Sequence, residues 1–293
     1  MRGLRGSCLW MAAPIAVSAV LAPSADLTVA HRARSLQPGE VVMLTMESTR
    51  PLHEVRVSAF DRAFRCFETA DPLKWSGLIG IDLDTKPGRY VVNVTGLDAD
   101  GKAVTVEYPV TVAAKTFATR TLTVDERYVS PPREALARIQ KESERVRAIF
   151  EAVSPERYWV GPFVLPVPGR SISEFGKRSV YNGQLRSPHA GTDFAGATGT
   201  PIKAPNAGKV ALAANLFYSG NTIILDHGQG LYSYFGHMSA FSAREGATVA
   251  AGDVVGKVGA TGLVTGPHLH WSVRLAGTRV DPLSLVDILA PHK

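Results

Sequence analysis

The residues best suited to chemistry lie in the second half of this 293-residue chain. His268 and His270 stand two residues apart in G-P-H-L-H-W-S-V, and alternate side chains of a β-strand project from the same face. His189 and Asp193 stand four residues apart in H-A-G-T-D, where the small residues between them allow the chain to turn. His237 lies between these segments in G-H-M-S. The spacing therefore predicts that side chains from distant segments converge.

Imidazole nitrogens and a carboxylate oxygen form a donor set that suits zinc, with bonds of about 2.0 to 2.2 Å. Two histidines and one aspartate would leave a fourth coordination position open, as a catalytic zinc site requires. The alternative is a set of histidines satisfied in the core or at the surface, which is the usual state of a lone histidine. Four histidines and one aspartate at these spacings favour the metal site.

The three motifs also resemble those of the lysostaphin/LytM-type zinc metallopeptidases, in order and spacing, over about residues 161–281. The resemblance implies that His189, Asp193 and His270 bind Zn²⁺ and that His237 and His268 serve catalysis. It implies a zinc metalloendopeptidase that hydrolyses peptidoglycan by attack of a zinc-bound water. The expected bond is the D-Ala to diaminopimelate cross-link, which would make it a DD-endopeptidase, and a Gly-Gly bridge is the alternative.

Zinc proteases of this kind also need a base that accepts the proton of the attacking water. In H-E-x-x-H proteases a glutamate does so, but the only H-E pair here, His53-Glu54, continues V-R-V and lacks the second histidine. His237 and His268 are left for this work. One would accept the proton while the other stabilises the oxyanion, and the sequence leaves their order open. His227, in I-I-L-D-H-G, is interpreted as a turn or structural residue.

Two other classes of function share features with this sequence. A non-catalytic LytM-like regulator that binds cell-wall amidases would typically lack metal ligands, whereas all five positions are filled here. The segments A-P-N-A-G-K-V (204–210) and V-A-A-G-D-V-V-G-K-V-G (249–259) look like the repeats of biotinyl and lipoyl carrier domains. Such carriers need a modified lysine at a hairpin tip, and F-Y-S-G-N (217–221) has none. This strand pattern therefore bears on architecture rather than on function.

The elements that position these residues are predicted to be mainly β. Residues 161–293 read as a LytM-type peptidase domain with a β-barrel-like or open antiparallel sheet and no helical periodicity. Its strands are expected near Lys209–Leu216, Asn221–Asp226, Leu231–His237, Val254–Val258 and His268–Leu275. Residues 26–115 alternate apolar and polar side chains in short runs, which predicts an immunoglobulin-like β-sandwich. Its clearest hairpin joins Arg89–Val94 to Val104–Val112 across D-A-D-G.

Between these domains, residues 116–160 are expected to be a linker with a helix at about 131–153. Ser130 would cap the helix and Pro131 would occupy its first turn. Apolar residues recur at helical spacing and predict one stripe packed on its neighbours: Leu136, Ile139, Val146, Phe150 and Val153. A coiled-coil or regulatory helix is the alternative. Because the sandwich and helix precede the peptidase directly, they are expected to position or inhibit it.

The first 25 residues have the order of a signal peptide, with Arg2 and Arg5 ahead of the apolar run 8–22 and small residues after it. The run is shorter than the ~20 residues of a membrane anchor, so no stable membrane insertion is expected after cleavage. The protein is then exported to the periplasm or cell envelope, or secreted. Only Cys66 remains, which excludes an internal disulfide.

The charge balance is basic. Loss of Arg2 and Arg5 lowers the formal charge from +6 to +4, which suits an anionic polymer such as peptidoglycan and equally suits an ordinary basic protein. Basic residues do not cluster with aromatic ones, so nucleic acid is not an expected partner. The pattern makes no prediction of oligomeric state.

Overall fold

The computed structural model describes residues 26–126 and 129–291, so the predicted signal peptide, 1–25, lies outside the described residues. This part of the chain is mainly β. The strands are β1 Leu27–Arg32, β2 Val41–Ser48, β3 His53–Ala59, β4 Arg62–Glu68, β5 Lys74–Gly80, β6 Gly88–Leu97, β7 Ala103–Val112, β8 Thr119–Leu122, β9 Ser171–Ser173, β10 Arg178–Tyr181, β11 Gln184–Leu185, β12 Thr192–Ala195, β13 Pro201–Lys203, β14 Gly208–Leu216, β15 Gly220–Gly228, β16 Leu231–Met238, β17 Ala240–Phe241, β18 Thr248–Val249, β19 Val254–Lys257, β20 His268–Leu275 and β21 Thr278–Val280. The helices are α1 Arg133–Glu151 and α2 Pro282–Leu289. Neither helix is long and apolar enough to cross a membrane.

The first seven strands form one hydrogen-bonded path in the order β1-β2-β5-β4-β3-β6-β7. Valines alternate inward along β7, where Val104, Val106 and Val110 are buried. The two ends of the path meet, since His31 Nδ1 of β1 lies 2.6 Å from the Tyr108 hydroxyl of β7. The sheet therefore curls over its own core. The predicted mainly β fold is confirmed, while the immunoglobulin-like assignment stays a prediction.

The second large sheet carries the candidate site. Its strands run in the order β18-β14-β15-β16-β20-β12-β9, and β21 pairs with β20. Long apolar side chains from its central strands are fully buried: Ile223, Leu225, Phe235, Leu269 and Trp271. All five strands expected in this region are present, within about two residues of their predicted ends.

The expectation of no helix after residue 161 was wrong, because α2 follows β21 at Pro282–Leu289. The side chain of Asp281 caps this helix by accepting a hydrogen bond from the Leu283 amide, and Pro282 follows at its first position. An eight-residue segment offers barely two turns, so its apolar spacing does not stand out in the sequence. The pair Asp281-Pro282, a capping residue followed by proline, was the sequence signal for the start of this helix.

Helix α1 begins and ends two residues inside the predicted range. Ser130 does not cap it, because its hydroxyl donates to Glu126 and the extended Pro132 occupies the cap position. The predicted stripe packs only through its C-terminal half. There Val146, Ile149 and Phe150 contact a buried cluster on the second sheet: Leu212, Leu216, Ile224 and Tyr232. Leu136, at the other end of the stripe, stays half exposed.

Part of the expected linker, Thr119–Leu122, forms a β-strand. Strand β8 pairs in parallel with β10, and β10 pairs with β11, which gives a three-stranded sheet. Tyr181 of β10 lies opposite Leu122 of β8 in this register. Residues 119–122 therefore pack against the C-terminal part of the chain and are not a free linker between two domains.

A network of charges joins the first sheet to α2. Arg34 forms ion pairs with Glu40 at 2.9 Å and with Asp281 at 2.6 Å, and the Ser284 hydroxyl donates to Glu40 at 2.7 Å. Burial alone would raise the pKa of Glu40, but the hydrogen bonds from Arg34 and Ser284 lower it below its usual value. The carboxylate therefore stays charged, and this network ties the segment between β1 and β2 to α2.

Candidate metal centre and active site

The sheet register brings two of the predicted ligands face to face. Strands β12 and β20 run antiparallel with Asp193 directly opposite His270, so their side chains project from the same face. His189 reaches them from the turn that precedes β12. A Cβ atom on Gly191 would lie 2.5 Å from the Trp271 carbonyl oxygen and 2.8 Å from Cε1 of His270. Only glycine therefore lets this turn pack against β20.

The three predicted ligands meet at their donor atoms. His189 Nε2 lies 3.0 Å from His270 Nδ1, and Asp193 Oδ1 lies 2.9 Å from each of these nitrogens. Their side chains are only 9 to 17 % exposed. Of the described residues, these three form the group of His, Cys, Asp and Glu side chains whose donor atoms could hold one metal ion.

The surroundings leave these donors free to bind a cation. His189 Nδ1 lies 3.0 Å from the Glu174 carbonyl oxygen, which can only accept, so in neutral imidazole the proton sits on Nδ1 and the Nε2 lone pair faces the site. Burial lowers the pKa of His270, which favours its neutral form. Burial opposes ionisation of Asp193, but the hydrogen bonds that His189 and His270 donate when their rings are protonated outweigh it and lower the pKa of this carboxyl. Two neutral imidazoles and a carboxylate fit zinc.

The two other predicted histidines stand beside this group. His237 Nδ1 lies 2.9 Å from the Thr261 carbonyl oxygen, and His268 Nδ1 lies 2.8 Å from that of Gly266. Each neutral ring therefore keeps its Nδ1 proton and has an unprotonated Nε2. The ring centroids are 4.9 Å apart, and His268 Nε2 is 3.9 Å from Asp193 Oδ1. The arrangement offers two proton acceptors next to the three donors.

His237 is held neutral by its position. Burial, followed by the charges that His270 and His268 would carry, lowers its pKa to about 3. Its backbone is in the left-handed region, with φ of 64°, and its amide donates to the Ser219 carbonyl at 2.7 Å. In the β16–β20 register it is Gly236 that lies opposite His270, so simple alternation would direct His237 to the other face. The left-handed turn brings its side chain back to the site.

The five residues line one cleft of about 330 Å³. Other walls come from residues that the sequence motifs did not indicate, among them Arg120 and Leu122 of β8 and Tyr234 of β16. The Tyr234 ring stands edge-on to that of His270, with centroids 6.1 Å apart, and its hydroxyl hydrogen-bonds Ser219 at 2.5 Å. Tyr234 lies two residues before Gly236 on the same strand face, a signal that strand periodicity could have provided.

His227 lies outside this group. It is fully buried, with Nδ1 2.8 Å from the Ala207 carbonyl and Nε2 2.9 Å from the Ser233 hydroxyl. Burial lowers its pKa to about 4. Both of its nitrogens are thus engaged in the core, in line with the structural interpretation.

The turn that carries His189 gives a first prediction. Gly191→Ala should lower the free energy of unfolding by about 1–3 kcal/mol, because the added methyl group cannot enter the space against β20 without moving backbone. Zinc affinity should fall with it, since His189 and Asp193 flank the turn. Denaturant titration and zinc titration measure the two effects.

Gly266→Ala is the matched control, because a Cβ atom there meets nothing within 4 Å. An equal loss of stability in both variants would show that the packing of Gly191 against β20 is not the cause.

Comparison with known proteins agrees with this geometry. Residues 187–282 match peptidase family M23. A crystal structure of a Pseudomonas aeruginosa protein assigned to peptidase M23 aligns with a TM-score of 0.69 and 33% identity, over 87% of this chain and 96% of that one. The DD-carboxypeptidase/endopeptidase Mpg of Neisseria meningitidis is 40% identical over 97 residues, which are 33% of this chain and 22% of Mpg. The peptidoglycan DD-endopeptidase ShyA of Vibrio cholerae is 36% identical over 115 residues, 39% of this chain and 27% of ShyA.

The fold and the histidine–aspartate group together define a β-sheet metallopeptidase. The match to the Pseudomonas protein runs through both sheets and nearly the whole of that chain. The chain belongs to peptidase family M23, which confirms the resemblance seen in its motifs. The match spans about a quarter of the length of the curated relatives.

Proposed function

We propose that this protein is an exported zinc endopeptidase that hydrolyses peptide cross-links of bacterial peptidoglycan, with the D-Ala to diaminopimelate bond as its target. The observation that carries the proposal is the convergence of three donor atoms within 3.0 Å of one another beside two unprotonated histidine nitrogens. Two curated relatives are named for DD-endopeptidase activity, which supports the choice of bond.

His189, Asp193 and His270 would hold the zinc ion. When bound, the ion would supply Lewis-acid chemistry, polarising the scissile carbonyl and lowering the pKa of a water molecule. Two neutral imidazoles and one carboxylate leave a net positive charge at the site. The carboxylate lies deep in the cleft at 9 % side-chain exposure, so little solvent screens this charge.

His237 and His268 would move the protons. Their Nδ1–H groups are anchored to backbone carbonyls, which fixes each ring and leaves an unprotonated Nε2 in the cleft. One ring accepts the proton of the attacking water, and the proton must reach the leaving amine for the peptide bond to break. The other ring donates a hydrogen bond to the oxyanion when it is protonated. The 4.9 Å between the ring centroids allows both to face one tetrahedral centre.

The substrate bond can be tested with purified cross-linked muropeptides. Mass spectrometry of the products should show dimers converted to monomers with cleavage at the D-Ala to diaminopimelate bond. Release of glycine-terminated fragments from a Gly-Gly bridged wall, with diaminopimelate dimers left intact, would assign the alternative bond. No cleavage of either polymer by zinc-loaded protein would contradict the proposed function.

Arg120 provides a prediction about substrate binding. It shares a face of β8 with Leu122, lines the cleft, and donates from Nε to the Ser179 hydroxyl at 3.2 Å, which holds its guanidinium in place. Peptidoglycan stem peptides carry free carboxylates, and a guanidinium pairs well with such groups. Arg120→Ala should therefore raise KM for muropeptide dimers about 10-fold, the effect of one charge-assisted hydrogen bond.

Steady-state kinetics should show that kcat changes much less than KM in this variant. Arg178→Ala is the control, since Arg178 lies on the adjacent β10 but is exposed. The role of Arg120 is contradicted when both variants give the same KM as the unaltered protein.

A further inference from the structure

A second cavity, of about 510 Å³, lies beside the active site between α1, β4 and the second sheet. Arginines line it from several elements: Arg62, Arg147, Arg274 and Arg279. Its carboxylates are Glu142 and Glu151. Tyr234 and Ser219 separate this cavity from the cleft, since both residues line the two spaces. Arg279 is paired with Asp82 and Asp84, and Arg147 lies 3.9 Å from Glu151. Among the described residues, Arg62 and Arg274 are the cavity arginines without a carboxylate ion pair.

Arg274 is the residue that needs an explanation. It lies on β20, four residues after His270 and on the same strand face. Its Nη1 atom is buried and has no hydrogen-bond partner among the described residues. Its guanidinium carbon lies 5.2 Å from the centre of the Phe150 ring, a contact that provides no acceptor for Nη1. A buried donor nitrogen without an acceptor is costly.

The nearby carboxylates are engaged elsewhere. Both oxygens of Glu142 accept hydrogen bonds, from Arg138 at 2.6 Å and from the Phe217 amide at 2.7 Å. Glu151 lies 3.9 Å from Arg147. Burial, together with the charge of Arg279, lowers the pKa of Arg274 to about 10, so the protein disfavours a charge that it nevertheless retains at neutral pH. The charge of Asp82 offsets part of this effect, but Asp82 pairs with Arg279, and no described acidic side chain forms an ion pair with Arg274.

From this geometry we propose that the cavity binds an oxyanion, a carboxylate or a phosphate, with Arg274 as its principal partner. The anion would accept a hydrogen bond from the unpaired Nη1 of Arg274, and Arg62 stands at the cavity wall to add charge. Ile139, Val146 and Leu216 give the cavity an apolar side, which suits an anionic group borne on an apolar body. The site is independent of the zinc chemistry proposed above.

Thermal unfolding of the zinc-loaded protein tests the site, with inorganic phosphate, acetate and chloride compared at equal ionic strength. Phosphate or acetate at about ten times its Kd should raise the midpoint by about 2–4 °C relative to chloride. Arg274→Gln should remove this rise. Its midpoint in chloride should equal or exceed that of the unaltered protein, because the substitution removes a buried charge without an acceptor. Phosphate acting where acetate does not, or the reverse, identifies which oxyanion the site takes.

Arg89→Gln, an exposed position on β6, is the control for charge, and it should keep the full response. Two outcomes would overturn the proposal. One is an equal midpoint in all three salts for the unaltered protein. The other is an equal rise in the unaltered protein and Arg274→Gln, which would place the anion at the zinc ion or elsewhere. Arg62→Gln, which changes the opposite wall, should weaken the response even when Arg274→Gln fails to fold.

Discussion

Replacing either His237 or His268 with alanine is expected to lower the turnover of muropeptide hydrolysis by about 100- to 10,000-fold, the usual contribution of a general acid or base. The zinc content should stay unchanged, because neither ring belongs to the group whose donor atoms lie within 3.0 Å of one another. His189→Ala should lose both zinc and turnover, since it removes one corner of that group. Metal analysis and single-turnover kinetics on the purified variants separate the two effects.

His53→Ala is the control, since His53 is an exposed histidine of the first sheet and should change neither quantity. Equal loss of zinc from His237→Ala and His189→Ala would contradict the division of roles between ligands and proton carriers. Full turnover in both His237→Ala and His268→Ala would remove the proposed proton path altogether.

Removing the metal with a chelator is expected to abolish hydrolysis, and added zinc is expected to restore it. Without a cation, the Asp193 carboxylate and the facing nitrogens of His189 and His270 contact one another, and no Lewis acid polarises the substrate. Zinc should also raise the unfolding midpoint, because its ligands come from β12, β20 and the turn before β12, and only the folded chain brings them together.

Atomic absorption and a muropeptide assay on the same samples check this expectation. Calcium at the same concentration is the control, because it prefers oxygen ligands and should not restore activity to a site with two nitrogen donors. Unchanged hydrolysis after exhaustive removal of metal would contradict the proposed zinc mechanism.

Much of the site could be predicted because its signals are local. The H-x-H spacing places His268 and His270 on one strand face. This prediction needs only the alternation of side chains along a strand. The same holds for the hairpin of β6 and β7, whose turn is marked by D-A-D-G and whose Gly101 has φ of 74°. Local patterns of this kind survive folding because neighbours in sequence remain neighbours in space.

Other features depend on contacts between distant segments and leave no local signal. His237 faces the cleft only because its backbone departs from the strand, at a position where a β-region conformation is the default. Strand β8 is polar and short, and its partner β10 lies 59 residues further along the chain. Arg274 resembles any arginine on an alternating strand until Phe150 of α1 packs over it. Tertiary packing decides each of these cases.

The parallel pairing of β8 with β10 changes where the catalytic unit begins. The segment that matches peptidase family M23 begins at residue 187, after both of these strands. A fragment cut at Gly161 would lack Arg120 and Leu122 from the cleft wall and would expose β10 as an unprotected sheet edge, open to pairing with another copy. The shortest stretch that keeps all the walls of the cleft therefore starts ahead of Thr119, and the segment between the two large sheets forms part of that cleft.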